Sequence, residues 1–179
     1  MRALSINVAY AGCIEIRLRE AEDMSVTLRP ARPDDEPFLY KLYCGTRNEE
    51  FAAAEWTQSQ QEVLLRMQFL AQQNSYKVQY PQADHDIILL DGHPVGRVMV
   101  ERRANEIRGV DIALLPDYRS AGVGGAIIKD LLDEAHRAGK PFRIHVVKTN
   151  RAKRLYDRMG FRETQDTGTH YIMEWTENE

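Results

Sequence analysis

Cysteine is scarce in this chain of 179 residues, which contains only Cys13 and Cys44. Two cysteines cannot build the disulfide framework of a small secreted protein or a cysteine-rich metal cluster. The sequence therefore favours a reducing cytosol and predicts no metal site. The chain also lacks an apolar run of about 20 residues, the length that a membrane helix needs. We expect a cytoplasmic protein without a membrane partner.

An excess of charge of one sign is lacking as well. Lysine and arginine together number 24 and aspartate and glutamate 27, so the formal net charge is −3. This balance argues against nucleic acid or an acidic membrane as the main partner. The hydrophobic fraction of 43% and the charged fraction of 28% are ordinary for a globular protein. No internal repeat or interdomain linker interrupts the chain.

The most informative segment runs from residue 111 to 124. Its apolar stretch, Ile112 to Leu115, reads as a strand that Pro116 ends, because proline has no N–H to donate. Arg119, Gly122 and Gly124 follow in the spacing Arg-x-x-Gly-x-Gly. A helical pattern then begins, with its apolar face on Ile127, Ile128, Leu131, Leu132 and Ala135. A glycine turn that opens a helix exposes backbone N–H groups and predicts an anion site.

Spacing separates three kinds of phosphate-binding turn. A P-loop needs Gly-Lys-Ser/Thr, but Gly124 is followed by Gly125 and Ala126. A dinucleotide fingerprint that starts at Gly122 would need glycine at the position of Ile127. The spacing that remains resembles the acetyl-CoA pyrophosphate loop of the GCN5-related N-acetyltransferases, the GNAT superfamily.

A second segment is similar to another signature of that superfamily. Residues 150–161 read Asn150-x-Ala152-x-x-Leu155-Tyr156-x-x-x-Gly160-Phe161, on a predicted helix and its exit. The resemblance covers roughly Thr27 to Trp175. It implies a mixed α/β GNAT fold: a twisted mixed sheet of about seven strands with helices on both faces, in the order β-α-α-β-β-β-α-β-α-β-β. The domain is predicted over residues 24–179.

Residues 1–23 are predicted to be an N-terminal extension. Ile14, Ile16 and Leu18 alternate with charged residues, so the segment could add an edge strand to the sheet. The alternative is an over-annotated start, with the protein beginning near Met24.

The resemblance implies that acetyl-CoA is a cosubstrate and that the enzyme acetylates an amine. Backbone groups of the central strand would pair with the pantetheine arm, and the glycine turn would hold the pyrophosphate. Asn150 would contact the cofactor, with helix capping as the alternative. The residues expected to bind acetyl-CoA are Ile112, Ala113, Leu114, Arg119, Ser120, Ala121, Gly122, Val123, Gly124, Gly125 and Asn150.

Two catalytic roles follow from the same resemblance. Tyr156 is expected to protonate the departing thiolate, and His145 is expected to take the proton of the amine. Glu101, Asp111, Glu174 and a water chain are alternatives for the base.

The acceptor is expected to be a small-molecule amine. Trp56, Phe69, Tyr76 and Tyr80, in and near the second helix, suggest an enclosed apolar pocket. Two alternative functions stay open: acetylation of a protein N-terminus or lysine, and non-catalytic binding of acyl-CoA. The protein could also form a homodimer.

The second helix has two local signals. Thr57 and Gln60 predict a capping box at its start, and its predicted buried face consists of Val63, Leu64, Met67 and Leu70.

Overall fold

The structure, a computed structural model, describes residues 14–17, 25–51 and 57–177. These residues form eight strands and four helices. The strands are β1 (Ile14–Arg17), β2 (Ser25–Pro30), β3 (Asp84–Leu90), β4 (His93–Arg102), β5 (Ile107–Leu114), β6 (Phe142–Val147), β7 (Arg162–Asp166) and β8 (His170–Trp175). The helices are α1 (Glu36–Phe51), α2 (Gln58–Gln79), α3 (Val123–Ala138) and α4 (Lys153–Arg158).

All eight strands belong to one mixed sheet. They lie side by side in the order β1-β2-β3-β4-β5-β6-β8-β7. Only β5 and β6 run parallel, and the other neighbours are antiparallel. The predicted mixed α/β fold is confirmed. The eighth strand is Ile14–Arg17, which pairs with β2 within the segment predicted as an extension. The domain boundary at residue 24 stays a prediction.

Helices cover both faces of the sheet, as predicted. Neighbouring residues of a strand point to opposite faces, and β3 shows this with Ile87 and Ile88, both fully buried. Ile88 packs in the larger core, which contains the apolar face of α3. Ile87 packs in a smaller core with Leu39 and Tyr43 of α1 and Phe69 of α2.

Helix α3 agrees with the sequence pattern in detail. Each residue of its predicted apolar face is buried: Ile127, Ile128, Leu131, Leu132 and Ala135. Gly139 ends the helix at φ 60°, a left-handed conformation that favours glycine.

Helix α2 agrees with the sequence prediction in its N-terminal cap but not in the face that it buries. The capping box is confirmed, because Thr57 Oγ1 accepts the N–H of Gln60 at 3.3 Å and Gln60 Oε1 accepts the N–H of Thr57 at 3.0 Å. The predicted buried face is wrong: Leu64 is only half-buried, and Val63, Met67 and Leu70 are exposed.

The side of α2 that faces the sheet carries Phe69 instead. Its ring lies against Tyr40 and Tyr43 of α1, at centroid distances of 5.5 and 5.8 Å. Apolar residues occupy several sides of this helix, so periodicity alone could not select one. An aromatic ring removes more apolar area from water than valine does, and its packing decides the orientation.

Candidate active site

The parallel strands β5 and β6 run side by side only where they begin. Their pairing covers Ile107 with Phe142, Arg108 with Arg143 and Gly109 with Ile144. Beyond these pairs the strands separate, although β5 continues to Leu114. In the part of the chain that the structure describes, no strand covers this edge of β5. Its free backbone groups can pair with an extended ligand arm. The edge includes the predicted contacts Ile112, Ala113 and Leu114.

A β-bulge lies where the strands separate. Met99 of β4 is opposite Asp111, whereas Val100 is opposite Gly109, so Val110 is an extra residue in β5. A bulge bends its strand and increases the local twist, which turns β5 away from β6. Gly109 allows the last close approach, because a Cβ there would lie 2.9 Å from Ile144 Cγ2.

The chain after β5 forms the predicted glycine turn. A 3-10 turn at Pro116–Tyr118 leads to Ser120 and Gly122, whose φ angles of 62° and 86° are left-handed. No side chain caps the start of α3, and its first helical hydrogen bond runs from the Ala126 N–H to the Gly122 carbonyl. The N–H groups of Val123, Gly124 and Gly125 are therefore open at the positive end of the helix dipole.

Space in front of this turn suits an anion. A Cβ at Gly122 would meet no atom within 4 Å, and a Cβ at Gly124 would lie 3.6 Å from Leu114 Cδ1, an ordinary contact. At Gly125 the nearest atom would be Leu155 Cδ1, at 3.9 Å. Packing within the protein therefore does not require glycine at 124 or 125. Without side chains, these residues leave the backbone open to a phosphate.

Arg119 makes contacts within the protein. Its Nε donates to the carbonyl of Leu114, and its Nη2 donates to the carbonyl of Gly45 in α1, both at 3.1 Å. The arginine thus ties the turn to the end of β5 and to α1. Its predicted contact with a pyrophosphate stays a prediction, as do the roles of Ser120 and Ala121 in the turn.

Tyr156 lies on α4 and packs against Phe161, with ring centroids 5.4 Å apart. Burial, and after it the charge of Asp111, raises the pKa of Tyr156 to about 12. Among the described residues, none forms a hydrogen bond with its hydroxyl. The phenol is therefore protonated at neutral pH, and its hydroxyl is free to donate.

Asn150 lies just before α4 and holds a local turn. Its Oδ1 accepts the N–H of Ala152 at 2.9 Å, which is an Asx turn. The N-cap of α4 is Ala152, and no side chain of the described residues caps this helix, so Asn150 does not have the helix-capping role that the sequence left as an alternative. The contact of Asn150 with a cofactor stays a prediction.

Asp111 lies at the bulge and is held by a buried arginine. Arg97, which is 4% exposed, directs both Nε and Nη2 at Asp111 Oδ2, each at 2.6 Å. Within the described ranges, the other carboxylate oxygen, Oδ1, has no hydrogen-bond partner. Burial, and after it the charge of Asp111, also raises the pKa of Tyr76 in α2 to about 12. Asp111 thus acts on α2 and α4 from the point where β5 leaves β6.

His145 is exposed on β6. Its pKa is lowered by desolvation and then by the charges of Arg108 and His170, with Glu106 opposing them. The ring is therefore mostly neutral at pH 7, as a base requires. Within the described chain no hydrogen bond or ion pair joins His145 to Asp111 or Tyr156, so no contact brings these three side chains together.

The other two carboxylate alternatives are engaged in ion pairs. Glu101 pairs with Arg103 and Glu174 with Arg143. Both pairs adjoin Glu106, which is 2% exposed. Glu106 accepts hydrogen bonds from three guanidinium groups, those of Arg103 (3.0 Å), Arg108 (2.9 Å) and Arg143 (2.8 Å). This network joins the β4–β5 hairpin to β6 and β8, so Glu101 and Glu174 fit a structural role.

Sequence reasoning missed Arg97 and Glu106. For Arg97 the available signal was its position, because it is a charged residue within the apolar strand β4, whereas Glu106 lies in the polar turn between β4 and β5, where a charged residue is ordinary. The partner of Arg97 is fourteen residues away, and only the register of the hairpin identifies it.

The aromatic residues predicted to form an acceptor pocket divide into three groups. Tyr76 and Tyr80 line a pocket of about 240 Å³ beside α2. Phe69 is part of the smaller core. Trp56 lies outside the described residues.

None of the helices in the described ranges combines the length and apolarity needed to cross a membrane. The same ranges contain no group of three His, Cys, Asp or Glu residues arranged to hold a metal ion.

Comparison with known families and structures identifies the domain. Residues 83–163, which include the strand separation, the glycine turn and Tyr156, match the family model of the acetyltransferase (GNAT) domain. The chain carries a GNAT acetyltransferase domain. Its general activity is accordingly that of a GNAT N-acetyltransferase. No curated protein matches the sequence.

Solved structures share the GNAT fold at low sequence identity. The PaiA N-acetyltransferase of Thermoplasma acidophilum, solved with coenzyme A, aligns with a TM-score of 0.64 and 17% identity, over 86% of this chain and 99% of that chain. An acetyltransferase of Thermus thermophilus aligns with 0.63 and 18%, over 85% and 97%. The ribosomal-protein-S18-alanine N-acetyltransferase of Escherichia coli aligns with 0.58 and 20%, over 84% and 93%. At these identities the likeness shows the fold alone.

Proposed function

We propose that this GNAT protein transfers the acetyl group of acetyl-CoA to the amine of a small molecule. One observation carries the proposal: the free edge of β5 runs directly into the open glycine turn of α3. A strand edge suits an amide-containing pantetheine arm, and the turn suits the pyrophosphate that follows it. The coenzyme A bound to the Thermoplasma acidophilum protein supports this choice of cosubstrate.

Bound acetyl-CoA supplies an activated thioester, and the chain must then handle two protons. The amine attacks only as a neutral group, so a proton must leave it. Asp111 Oδ1 suits this task better than His145, because it lies at the strand separation, has no partner in the described chain and acts on Tyr156. Arg97 holds the carboxylate through Oδ2 and leaves Oδ1 to face the amine.

Tyr156 suits the leaving sulfur. Its pKa of about 12 lies above the roughly 8.5 of a thiol, so complete proton transfer would be uphill by about 5 kcal/mol. The hydroxyl therefore acts as a hydrogen-bond donor whose interaction strengthens as negative charge builds on sulfur. Solvent completes the protonation.

The glycine turn provides the direct test. Replacing Gly124 with leucine fills the space before the turn, and we expect calorimetry to show loss of acetyl-CoA binding. Replacing it with alanine adds one methyl group, which the 3.6 Å separation from Leu114 tolerates. Alanine favours a helix over glycine by about 1 kcal/mol, so this variant should keep its thermal midpoint and still bind more weakly.

The control is Lys129→Ala, an exposed position further along the same helix. It should bind acetyl-CoA as the wild type does. Unchanged affinity in both Gly124 variants would show that the turn does not hold the cosubstrate.

A further inference from the structure

The pocket beside α2 has an unusual polar wall. Its volume of about 240 Å³ lies just below the usual range for ligand pockets, about 300–1,000 Å³, so it suits one end of a small molecule. Its lining includes Gln73, Tyr76, Lys77, Tyr80, His85 and Met99.

Buried nitrogen atoms without a partner gather here. Gln73 Nε2 and His85 Nε2, both on residues of the wall, have no hydrogen-bond partner within the described chain. Arg97 Nη1 is the third such atom, and the guanidinium of this buried arginine lies over the Tyr76 ring, 5.2 Å from its centroid. Buried polar groups in folded proteins almost always have partners. Two such nitrogens on residues of the wall, and a third on the arginine that lies over Tyr76, indicate a site for a group that carries acceptor oxygens.

The charges indicate that this group is an anion. Lys77 is the one charged side chain of the lining, which contains no carboxylate. Desolvation and then the charge of Arg97 lower the pKa of His85, so its ring is neutral at pH 7. Arg97 is neutralised by Asp111 through Nε and Nη2, but its Nη1 stays available. The wall therefore offers one net positive charge and the amide N–H groups of Gln73, with the Arg97 guanidinium beside Tyr76, which suits a carboxylate.

The sheet register places the pocket wall near the carboxylate of Asp111. His85 of β3 is opposite Met99 of β4, and Met99 is opposite Asp111 of β5. Two steps between neighbouring strands span roughly 10 Å. The side chains at the two ends of this row, His85 and Asp111, shorten the distance to be spanned. A ligand whose two polar ends are about five bonds apart can therefore span it.

We propose that this pocket binds the carboxylate of the acceptor, which is an amino acid whose reacting amine lies about five bonds from that carboxylate. The proposal rests on the proposed function, because it places the acceptor amine at Asp111. Gln73, Lys77 and Arg97 bind the carboxylate, and Tyr76 and Tyr80 enclose the connecting chain. An amine without the carboxylate leaves the N–H donors unpaired and binds more weakly.

A matched pair of probes tests the pocket without requiring turnover. 5-Aminopentanoate and n-pentylamine share the amine and four methylenes, and they differ in a carboxylate against a methyl group. Calorimetry at constant ionic strength should show at least tenfold tighter binding of 5-aminopentanoate by the wild type. In a ¹⁵N-labelled sample, the side-chain amide signal of Gln73, assigned as the one missing from Gln73→Leu, should shift with this probe.

Two variants and one control locate the effect. Gln73→Leu and Lys77→Gln should each reduce the preference for 5-aminopentanoate to about threefold or less. Lys77 is exposed, so its substitution tests the pocket even if Gln73→Leu folds poorly. Lys129→Gln, an exposed change on α3 across the sheet, should keep the wild-type preference.

Titration of acetyl-CoA into the same samples separates this proposal from the proposed function. Equal binding of the two probes, or an unmoved Gln73 signal, would overturn the carboxylate pocket, whereas normal acetyl-CoA binding would leave the acetyltransferase proposal in place. Selective binding of 5-aminopentanoate without acetyl-CoA binding would keep the pocket and overturn the cosubstrate assignment.

Discussion

Replacing Tyr156 with phenylalanine removes one hydroxyl and keeps the ring. The ring contact with Phe161 at 5.4 Å survives, and no hydrogen bond to another described residue is lost. We therefore expect a change in the free energy of unfolding within about 0.5 kcal/mol and unchanged acetyl-CoA affinity.

The kcat of Tyr156→Phe, unlike its stability and acetyl-CoA affinity, should change strongly. A hydrogen-bond donor directed at developing negative charge contributes about 10²–10³-fold, equivalent to roughly 3–4 kcal/mol of transition-state stabilisation. We expect kcat to fall by that factor in a free-thiol release assay, with the most active amine of a screen as acceptor. Tyr171→Phe, on β8, is the control and should keep its rate.

The pH profile tests the environment of the hydroxyl. With the pKa raised to about 12, only about 3% of Tyr156 is ionised at pH 10.5, against about three quarters at the ordinary value of 10. The wild-type rate should therefore hold to pH 10.5, and the variant should be slower by a constant factor. A wild-type loss above pH 9.5 that the variant lacks would contradict the assigned environment. A variant rate within a few-fold of wild type would make Tyr156 a packing residue.

Three further predictions concern the base, the buried ion pairs and the N-terminal segment. Asp111→Asn should lower kcat/KM by at least about 100-fold, the lower end of general-base effects, and His145→Ala by less than threefold; the reverse order would return the role to His145. Glu106→Gln should destabilise the protein by roughly 2–3 kcal/mol, because three partly exposed guanidinium groups lose their carboxylate. The thermal midpoint should then fall by about 4–12 °C, and the exposed Glu163→Gln should leave it unchanged. Burial acts to raise the pKa of Glu106, but the hydrogen bonds from Arg108 and Arg143 outweigh it and lower the pKa below 4.5. Its stabilisation is therefore present above pH 4.5 and lost as pH falls through the folded-state pKa, and a constant deficit of Glu106→Gln through acid pH would contradict this. Deleting residues 1–23 removes the four-residue edge strand β1 and should leave acetyl-CoA binding intact with a modest fall in thermal midpoint; an insoluble product would show that the segment is integral to the fold.

The sequence by itself determined the local features of this protein. The Arg-x-x-Gly-x-Gly spacing, the capping box of α2, the buried face of α3 and the stop at Gly139 each depend on residues a few positions apart. Proline, glycine and helical periodicity act over that range, so the order of strands and helices could be predicted. The glycine turn was predictable for the same reason, and with it one half of the candidate site.

Tertiary structure decided what depends on register and packing. The bulge at Val110 sets which residues face each other, so only the folded sheet brings Arg97 to Asp111 and aligns His85 with them. The choice of Phe69 over Val63 as the buried residue of α2 came from aromatic rings on another helix. The burial of Glu106 likewise required three arginines from β6 and the β4–β5 hairpin. These contacts join residues far apart in the chain, and their energies depend on desolvation that no local pattern records.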